Sequence, residues 1–224
     1  MIEIRNSDHL LNLLNLCLDA KADYQQTEGG GDYLTRRFGD TLYLLFEWSQ
    51  GREDWRSNFN FPAKPYRDMG VTWYCHRGFL AVWKSIEPHV RGTIMDSTVR
   101  RVYVVGYSHG AAIATLAHEY VWFHRPDLRG RLEGYGFGCP RCYWGYFLRR
   151  ELKERWATFQ PVRNGGDIVT HLPPRLFGFV HVNRVLHIGR EMPHKHARLA
   201  MVNAHYACGY QYNLGQRGDY FEDT

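Results

Sequence analysis

Short runs of apolar residues recur along the chain and predict buried strands. Both faces of each run are hydrophobic, which is typical of strands inside a parallel sheet. The run Val102–Val105 shows this most clearly, since every residue in it is β-branched or aromatic. The other runs are Thr41–Trp48, Leu132–Phe137, Thr158–Val162, which Pro161 weakens, and Val182–Ile188.

Apolar residues at a helical period lie between these runs and predict helices. The segments with this period are Leu10–Leu18, Leu80–Ile86, Ala112–Val121 and Tyr143–Trp156. Ser7 or Asp8 would cap the first helix, and Pro88 would help to end the second. Strands that alternate with helices predict an α/β fold with a largely parallel sheet.

Polar and glycine-rich stretches predict the connections. Gly29–Gly31 is expected to form a loop, and the polar, proline-containing stretch Gln50–Gly70 is expected to run over the surface. Between Arg149 and Arg155 the basic residues alternate with glutamates, a pattern that predicts an ordinary solvated helix face.

Length and composition limit the class of protein. The 224 residues, 44% of them hydrophobic, suffice for a sizeable core and suit one domain over 1–224. The stretch Leu10–Leu18 is broken by Asn12 and Asn15 and follows no basic segment, so it predicts neither a signal peptide nor a membrane span. Five cysteines at irregular spacings favour reduced thiols. We therefore expect a cytoplasmic protein.

The charge balance says little about partners. A net charge of +5 permits attraction to an anionic surface, such as phospholipid headgroups or nucleic acid. The basic residues form no block, however, and the sequence contains no RNA-binding aromatic motif and no zinc finger. Nucleic acid is therefore not an expected partner, and the oligomeric state stays open.

Candidate chemistry begins at Gly106-Tyr107-Ser108-His109-Gly110, between a predicted strand and a predicted helix. A G-x-S-x-G segment in this position predicts a nucleophile elbow, although a glycine-rich turn with an incidental serine is the alternative. The glycines allow a tight turn, in which Ser108 would be strained and its hydroxyl exposed above the sheet. The following helix would direct backbone N–H groups at any negative charge that develops.

A nucleophilic serine needs a base and a carboxylate that orients the base. Asp167 follows a predicted strand directly and is the best-placed carboxylate, whereas Asp127 suits a turn after Pro126. The histidines that follow Asp167 are His171, His181, His187, His194, His196 and His205. His205 is favoured because it lies in the last loop, but the sequence pattern leaves the others open.

Several motifs, in order along the chain, resemble those of the class 3 (fungal-type) triacylglycerol lipase family. The similarity extends from about Thr41 to Tyr210. The motifs are Phe46-Glu47-Trp48-Ser49 with Asp54-Trp55, His76-Arg77-Gly78-Phe79, the elbow with Ala111-Ala112, Gly138-Cys139-Pro140-Arg141, and Asn164–Val169 with Leu172-Pro173-Pro174.

The resemblance implies an α/β-hydrolase fold, with helices on both faces of a mostly parallel sheet. It implies a serine carboxylic ester hydrolase for acylglycerols or other lipid esters, which forms an acyl-enzyme without metal or cofactor. Ser108 would be the nucleophile, Asp167 the orienting carboxylate and His205 the base.

The resemblance also implies an oxyanion hole and a lid. Ser49 would donate its backbone N–H and hydroxyl, and His109 its backbone N–H. Family members carry a short amphipathic lid helix after the oxyanion residue, and here Trp55 and Phe59 would share one face of such a helix. Peripheral contact with a lipid surface is therefore expected. The alternative for the stretch with Trp55 and Phe59 is a solvated loop whose two aromatic side chains pack into the domain.

Two readings from other classes compete with an esterase. Cys139 and Cys142 form a C-x-x-C, but a thioredoxin-like site would need this motif at a helix N-terminus soon after the first strand. The second is a catalytically silent hydrolase fold that binds lipid or a partner. Labelling with a serine-reactive phosphonate discriminates between this reading and an esterase.

Overall fold

The computed structural model describes residues 7–47, 62–189, 204–215 and 220–222. The α-helices in this part of the chain are α1 (Ser7–Asp19), α2 (Arg77–Met95), α3 (His109–His124) and α4 (Ala207–Gly215). The strands are β1 (Gln25–Gln26), β2 (Asp32–Phe38), β3 (Thr41–Glu47), β4 (Ala63–Tyr66), β5 (Trp73–His76), β6 (Arg101–Tyr107), β7 (Leu132–Phe137), β8 (Tyr143–Trp144), β9 (Phe159–Asn164), β10 (Phe179–Val180), β11 (Leu186–Ile188) and β12 (Tyr220–Glu222).

Short 3₁₀ helices complete the described elements. They span Lys21–Asp23, Pro126–Arg131, Arg150–Trp156, Ile168–His171 and Arg175–Phe177. Within the described ranges, no helix is both long and apolar enough to cross a membrane.

The larger sheet has a parallel centre. Its strand order over the described residues is β1-β2-β3-β6-β7-β9-β11-β12. The pairings from β3 to β11 are parallel, and the flanking pairings are antiparallel. The predicted strands are these parallel strands, although the last one begins only at Leu186. The α/β prediction is confirmed.

Helices cover both faces of this sheet, as predicted. Successive side chains of a strand point to opposite faces. Thus Leu44 and Val104 pack in one buried cluster with residues of α2 and α3, while Leu45 and Val105 pack in a second cluster with residues of α1 and α4. Burial of one such side chain contributes about 2 kcal/mol.

A second sheet, with the antiparallel order β10-β8-β5-β4, was not predicted. Two predictions are therefore wrong in part. The stretch Gln50–Gly70 contains the strand β4, and Tyr143–Trp156 is a strand, a turn and a 3₁₀ helix instead of an α-helix. The turn contains Tyr146 at φ 56°, a left-handed backbone conformation that does not occur within a right-handed α-helix. An α-helix therefore cannot extend across this residue.

Pro88 lies inside α2 and does not end it. Proline removes one hydrogen-bond donor from the helix and crowds the preceding turn. The buried side chains of Ile86, Val90 and Ile94 lie on one face on both sides of it. Their packing against the core outweighs the local cost, so the helix continues to Met95.

The predicted solvated face is wrong for Arg155. Its side chain is buried, and Nη1 lies 2.6 Å from Oε1 of the buried Glu119 on α3. Trp73 Nε1 donates to both oxygens of the same carboxylate, at 3.1 and 3.0 Å. Burial raises the pKa of Glu119 to about 7, against the opposing effect of Arg155. The ion pair ties the 3₁₀ helix Arg150–Trp156 to α3.

Candidate active site

Ser108 lies in the sharp turn between β6 and α3, at φ 56° and ψ −125°. The turn leaves no space for side chains at the two glycines. A Cβ at Gly106 would lie 2.3 Å from the carbonyl oxygen of Gly110, and a Cβ at Gly110 would lie 2.2 Å from that of Phe46. The segment therefore forms the predicted strand–turn–helix elbow, and both glycines are sterically required.

The expectation of an exposed hydroxyl is wrong. Ser108 is 1% exposed. Its Oγ lies within hydrogen-bond distance of Nε2 of His205, which packs beside it.

The structure brings Ser108, His205 and Asp167 into one chain of hydrogen bonds. Ser108 Oγ lies 2.8 Å from Nε2 of His205, and Nδ1 of His205 lies 2.9 Å from Oδ2 of Asp167. Both distances lie within normal hydrogen-bond range. A hydroxyl, an imidazole and a carboxylate connected in this order can move a proton from the serine to the histidine.

Asp167 is fixed by the loop that follows β9. Its N–H donates to the carbonyl oxygen of Asn164 at 3.0 Å, and its Oδ1 accepts from the N–H of Val169 at 2.9 Å. This second bond caps the 3₁₀ helix Ile168–His171. The carboxylate is fully buried, so its orientation is set by hydrogen bonds to protein groups and not by solvent.

The backbone around His205 is held by two side chains. Tyr107, in the elbow, donates its hydroxyl to the carbonyl oxygen of His205 at 2.5 Å, and the two rings stack with their centroids 5.5 Å apart. Asn164 Nδ2 donates to the carbonyl oxygen of Ala204 at 2.9 Å. The backbone at Ala204 and His205 is thus held by hydrogen bonds to both the elbow and the strand that precedes Asp167.

Sequence reasoning missed two residues that pack against this chain. The Tyr210 hydroxyl donates to Oδ2 of Asp167 at 2.6 Å, and burial together with the charge of Asp167 raises the pKa of Tyr210. Gly138 has φ 62°, and a Cβ there would lie 2.9 Å from Cε1 of His205 and 3.2 Å from Oδ2 of Asp167. The motif Gly138–Arg141 was a signal for the glycine, whereas no local pattern indicated the tyrosine.

The other candidate bases lie elsewhere. His171 and His187 both contact Arg163. His181 Nε2 lies 2.9 Å from the carbonyl oxygen of Thr170, and burial lowers the pKa of His181 to about 3. His194 and His196 lie outside the described residues. Asp127 pairs with Arg125 in the 3₁₀ helix after Pro126, so its interpretation as a turn residue is supported.

One predicted oxyanion donor is described. His109 is the first residue of α3, so its backbone N–H has no partner within the helix. Its imidazole packs edge-on against Phe79, with centroids 5.1 Å apart, and burial lowers the pKa of His109 to about 4, with a smaller effect of His76. Ser49, Trp55 and Phe59 lie outside the described residues.

The C-x-x-C thiols are poor candidates for redox chemistry. Cys139 and Cys142 are both buried and free. Burial raises the pKa of Cys139, and contact with Cys75 together with burial raises that of Cys142. A thiol that stays protonated is a weak nucleophile. Among the described side chains, no group of three or more His, Cys, Asp or Glu could hold a metal ion.

Comparison with known proteins identifies similar chains. The profile of a family described as "Lipase (class 3)" matches residues 43–177. A secreted mono- and diacylglycerol lipase of Fusarium solani is 29% identical over 134 residues, which are 58% of this chain and 38% of that protein. A secreted mono- and diacylglycerol lipase of Malassezia globosa is 31% identical over 110 residues, 47% of this chain and 34% of that protein. The matches thus span less than two fifths of these relatives.

The fold has solved counterparts. The structure of Rhizomucor miehei triacylglyceride lipase superimposes with a TM-score of 0.64 at 20% identity and covers 87% of this chain and 81% of that one. This likeness confirms the predicted α/β-hydrolase fold. The expectation of a cytoplasmic location is wrong, because the Fusarium and Malassezia relatives are secreted and point to an extracellular location.

Proposed function

Because this chain belongs to the class 3 lipase family, we propose that it is a serine carboxylic ester hydrolase acting on acylglycerols or other lipid esters. One observation carries the proposal, the hydrogen-bond chain from Ser108 through His205 to Asp167. The mono- and diacylglycerol lipases among its relatives support acylglycerols as the substrate class. The substrate would be presented at a lipid surface, with which the protein makes peripheral contact.

Acylation begins at Ser108. As Oγ bonds to the ester carbonyl carbon, Nε2 of His205, 2.8 Å away, accepts the hydroxyl proton. The carbonyl π electrons move to the oxygen and form a tetrahedral oxyanion. Asp167, 2.9 Å from Nδ1, keeps that nitrogen protonated and stabilises the imidazolium that forms.

The oxyanion develops at the N-terminus of α3. There the backbone N–H of His109 donates to it, and Ser49 supplies the second donor of the proposed oxyanion hole. Each such donor lowers the barrier by about 3 kcal/mol. When the carbon–oxygen bond breaks, the leaving alcohol takes the proton from Nε2 of His205. A water then loses a proton to the same nitrogen and attacks the acyl carbon. The bond from that carbon to Ser108 Oγ breaks as Oγ takes the proton back from Nε2, which releases the acid and restores the serine hydroxyl.

A catalytically silent protein that binds lipid or a partner is the second candidate function. The observation that favours it is the burial of Ser108, which is 1% exposed. A fluorophosphonate probe distinguishes the two functions, because it reacts covalently only with an activated serine.

The labelling experiment compares the unchanged protein with two variants. We expect the unchanged protein and Ser97→Ala, a control at an exposed serine, to be labelled alike. Ser108→Ala should not be labelled. If the unchanged protein stays unlabelled in the presence of lipid, the silent function is the correct one.

A further inference from the structure

Two adjoining turns at one end of the smaller sheet expose large apolar side chains. Phe147 is 75% exposed and Leu176 is 81% exposed, while Tyr146 and Phe177 are 52% and 53% exposed. We call these four residues the paired-turn surface. Contiguous exposed apolar side chains of this size are uncommon on soluble proteins and mark interaction sites.

Backbone hydrogen bonds hold the two turns together. The N–H groups of Gly145 and Tyr146 both donate to the carbonyl oxygen of Gly178, at 2.9 and 3.0 Å. Trp144 Nε1 donates to the carbonyl oxygen of Phe177 at 2.8 Å. Tyr146 has φ 56°, a conformation that residues with a Cβ seldom adopt. These hydrogen bonds thus hold the backbone of the two turns in a defined conformation, from which the exposed side chains project.

The apolar surface continues across the smaller sheet. Tyr74 on β5 lies opposite Trp144 on β8, and their ring centroids are 5.5 Å apart. Tyr74 is itself 44% exposed. Aromatic rings of tyrosine and tryptophan favour the boundary between water and hydrocarbon, because each has an apolar body and a polar tip.

Positive charge flanks the turns. Arg175 directly precedes Leu176, and Arg150 begins a 3₁₀ helix three residues after Phe147; both arginines are exposed. Neither forms an ion pair within the described residues. The chain as a whole carries a net charge of +5. An apolar centre bordered by arginines is complementary to an anionic phospholipid surface, in which acyl chains lie beneath negative headgroups.

We propose that the paired-turn surface docks the protein on anionic phospholipid membranes, with Phe147 and Leu176 inserted at the boundary between headgroups and acyl chains. The inference rests on the proposed function in that a lipid esterase works at such a boundary. Binding is nevertheless measurable without hydrolysis, so the two can fail separately.

Sedimentation with vesicles of phosphatidylcholine and phosphatidylglycerol tests the apolar part, with Ser108→Ala as the background so that no lipid is cleaved. We expect the added pair Phe147→Ser and Leu176→Ser to lower the partition coefficient about tenfold or more. The matched control is Phe38→Ser, at an aromatic residue that is 59% exposed at the end of β2. The control and the conservative change Phe147→Leu should bind as the background does.

Two arginine changes test the electrostatic part. Arg150→Gln with Arg175→Gln should weaken binding to the phosphatidylglycerol vesicles several-fold and reduce its salt dependence. Binding to pure phosphatidylcholine vesicles should change little. Equal loss on both kinds of vesicle would contradict the role of charge.

Equal binding of the double serine variant and the background would overturn the proposal. A second outcome would also overturn it: sedimentation equilibrium shows that the background protein is a dimer, the double serine variant is a monomer, and neither protein binds vesicles. The surface would then join two copies of the chain. Hydrolysis of a soluble ester by the double variant with Ser108 intact should equal that of the unchanged protein. If neither hydrolyses it but vesicle binding behaves as expected, only the proposed function fails.

Discussion

Tyr210 donates its hydroxyl to Oδ2 of Asp167 at 2.6 Å. The same oxygen accepts from Nδ1 of His205, so the carboxylate is held between a buried phenol and the imidazole. Because the pKa of Tyr210 is raised, the phenol stays a donor throughout the pH range in which a histidine titrates. It therefore stabilises the ionised carboxylate and fixes its direction.

Removal of this donor should impair turnover more than folding. We expect Tyr210→Phe to lower kcat about tenfold, since a hydrogen bond to a charged group contributes about 1.5–3 kcal/mol. Stopped-flow assays of a p-nitrophenyl ester measure this loss. Tyr212→Phe, at an exposed tyrosine of the same helix, should leave kcat unchanged.

The nucleophile and the base should act as a unit. We expect Ser108→Ala and His205→Ala each to abolish hydrolysis of a short p-nitrophenyl ester, and the double variant to be no worse than either. Circular dichroism should show an intact fold in all three. Near-normal turnover in His205→Ala would transfer the role of base to another histidine.

Gly138 limits the space beside the histidine and the carboxylate. Gly138→Ala should lower kcat about tenfold or more, because its Cβ would displace a ring atom 2.9 Å away and shift the geometry of proton transfer. The control is Gly130→Ala, whose Cβ would meet nothing within 4 Å. Steady-state kinetics of both variants tests this prediction. Equal kcat in the two variants would show that His205 can shift without a loss of activity.

The buried ion pair should matter for stability and not for catalysis. Arg155→Met leaves the carboxylate of Glu119 buried without its cation, and we expect a loss of about 3–5 kcal/mol in the free energy of unfolding. Urea denaturation measures this loss. Lys153→Met, at an exposed residue of the same 3₁₀ helix, should be neutral, and Arg155→Met with Glu119→Leu should recover part of the loss. A neutral Arg155→Met would contradict the burial of the pair.

Buried histidines should make the fold sensitive to acid. Burial lowers the pKa of His118 to about 3, whereas the unfolded chain keeps the ordinary value of about 6.5. As pH falls through this range the unfolded chain binds a proton that the folded chain does not, so stability declines, by about 2 kcal/mol at pH 5 from this residue alone.

Urea denaturation at pH 7 and pH 5 tests this dependence. His118→Gln should reduce the difference between the two pH values by about 2 kcal/mol, while the exposed His89→Gln should leave it unchanged. An unaltered difference in His118→Gln would show that the imidazole becomes protonated without unfolding.

The sequence by itself determined the parallel strands of the larger sheet, the helices α1 and α3, and the elbow around Ser108. These features depend on local causes, namely hydrophobic period, side-chain bulk and the steric freedom of Gly106 and Gly110. The position of Asp167 was also predictable, because a residue that follows a parallel strand lies at the carboxyl edge of the sheet. The family could also be identified from the sequence, through its ordered motifs.

The smaller sheet could not be predicted. Its strands have two to four residues each, which is too short for a period to be read from the sequence. They are stabilised by partners that are distant in the chain, as where Tyr74 pairs with Trp144. The burial of Arg155 follows likewise from its partner Glu119 on another element.

Only the tertiary structure decided which histidine contacts Ser108 and which phenol contacts Asp167. His205 is 97 residues from Ser108, and Tyr210 is 43 residues from Asp167. The packing of elements that are distant in the chain brings them there, and the hydrogen bonds of Tyr107 and Asn164 hold the backbone of His205 and Ala204. The burial of Ser108 was decided in the same way. Sequence patterns report which face of an element is buried, but contacts between distant side chains depend on how the elements pack.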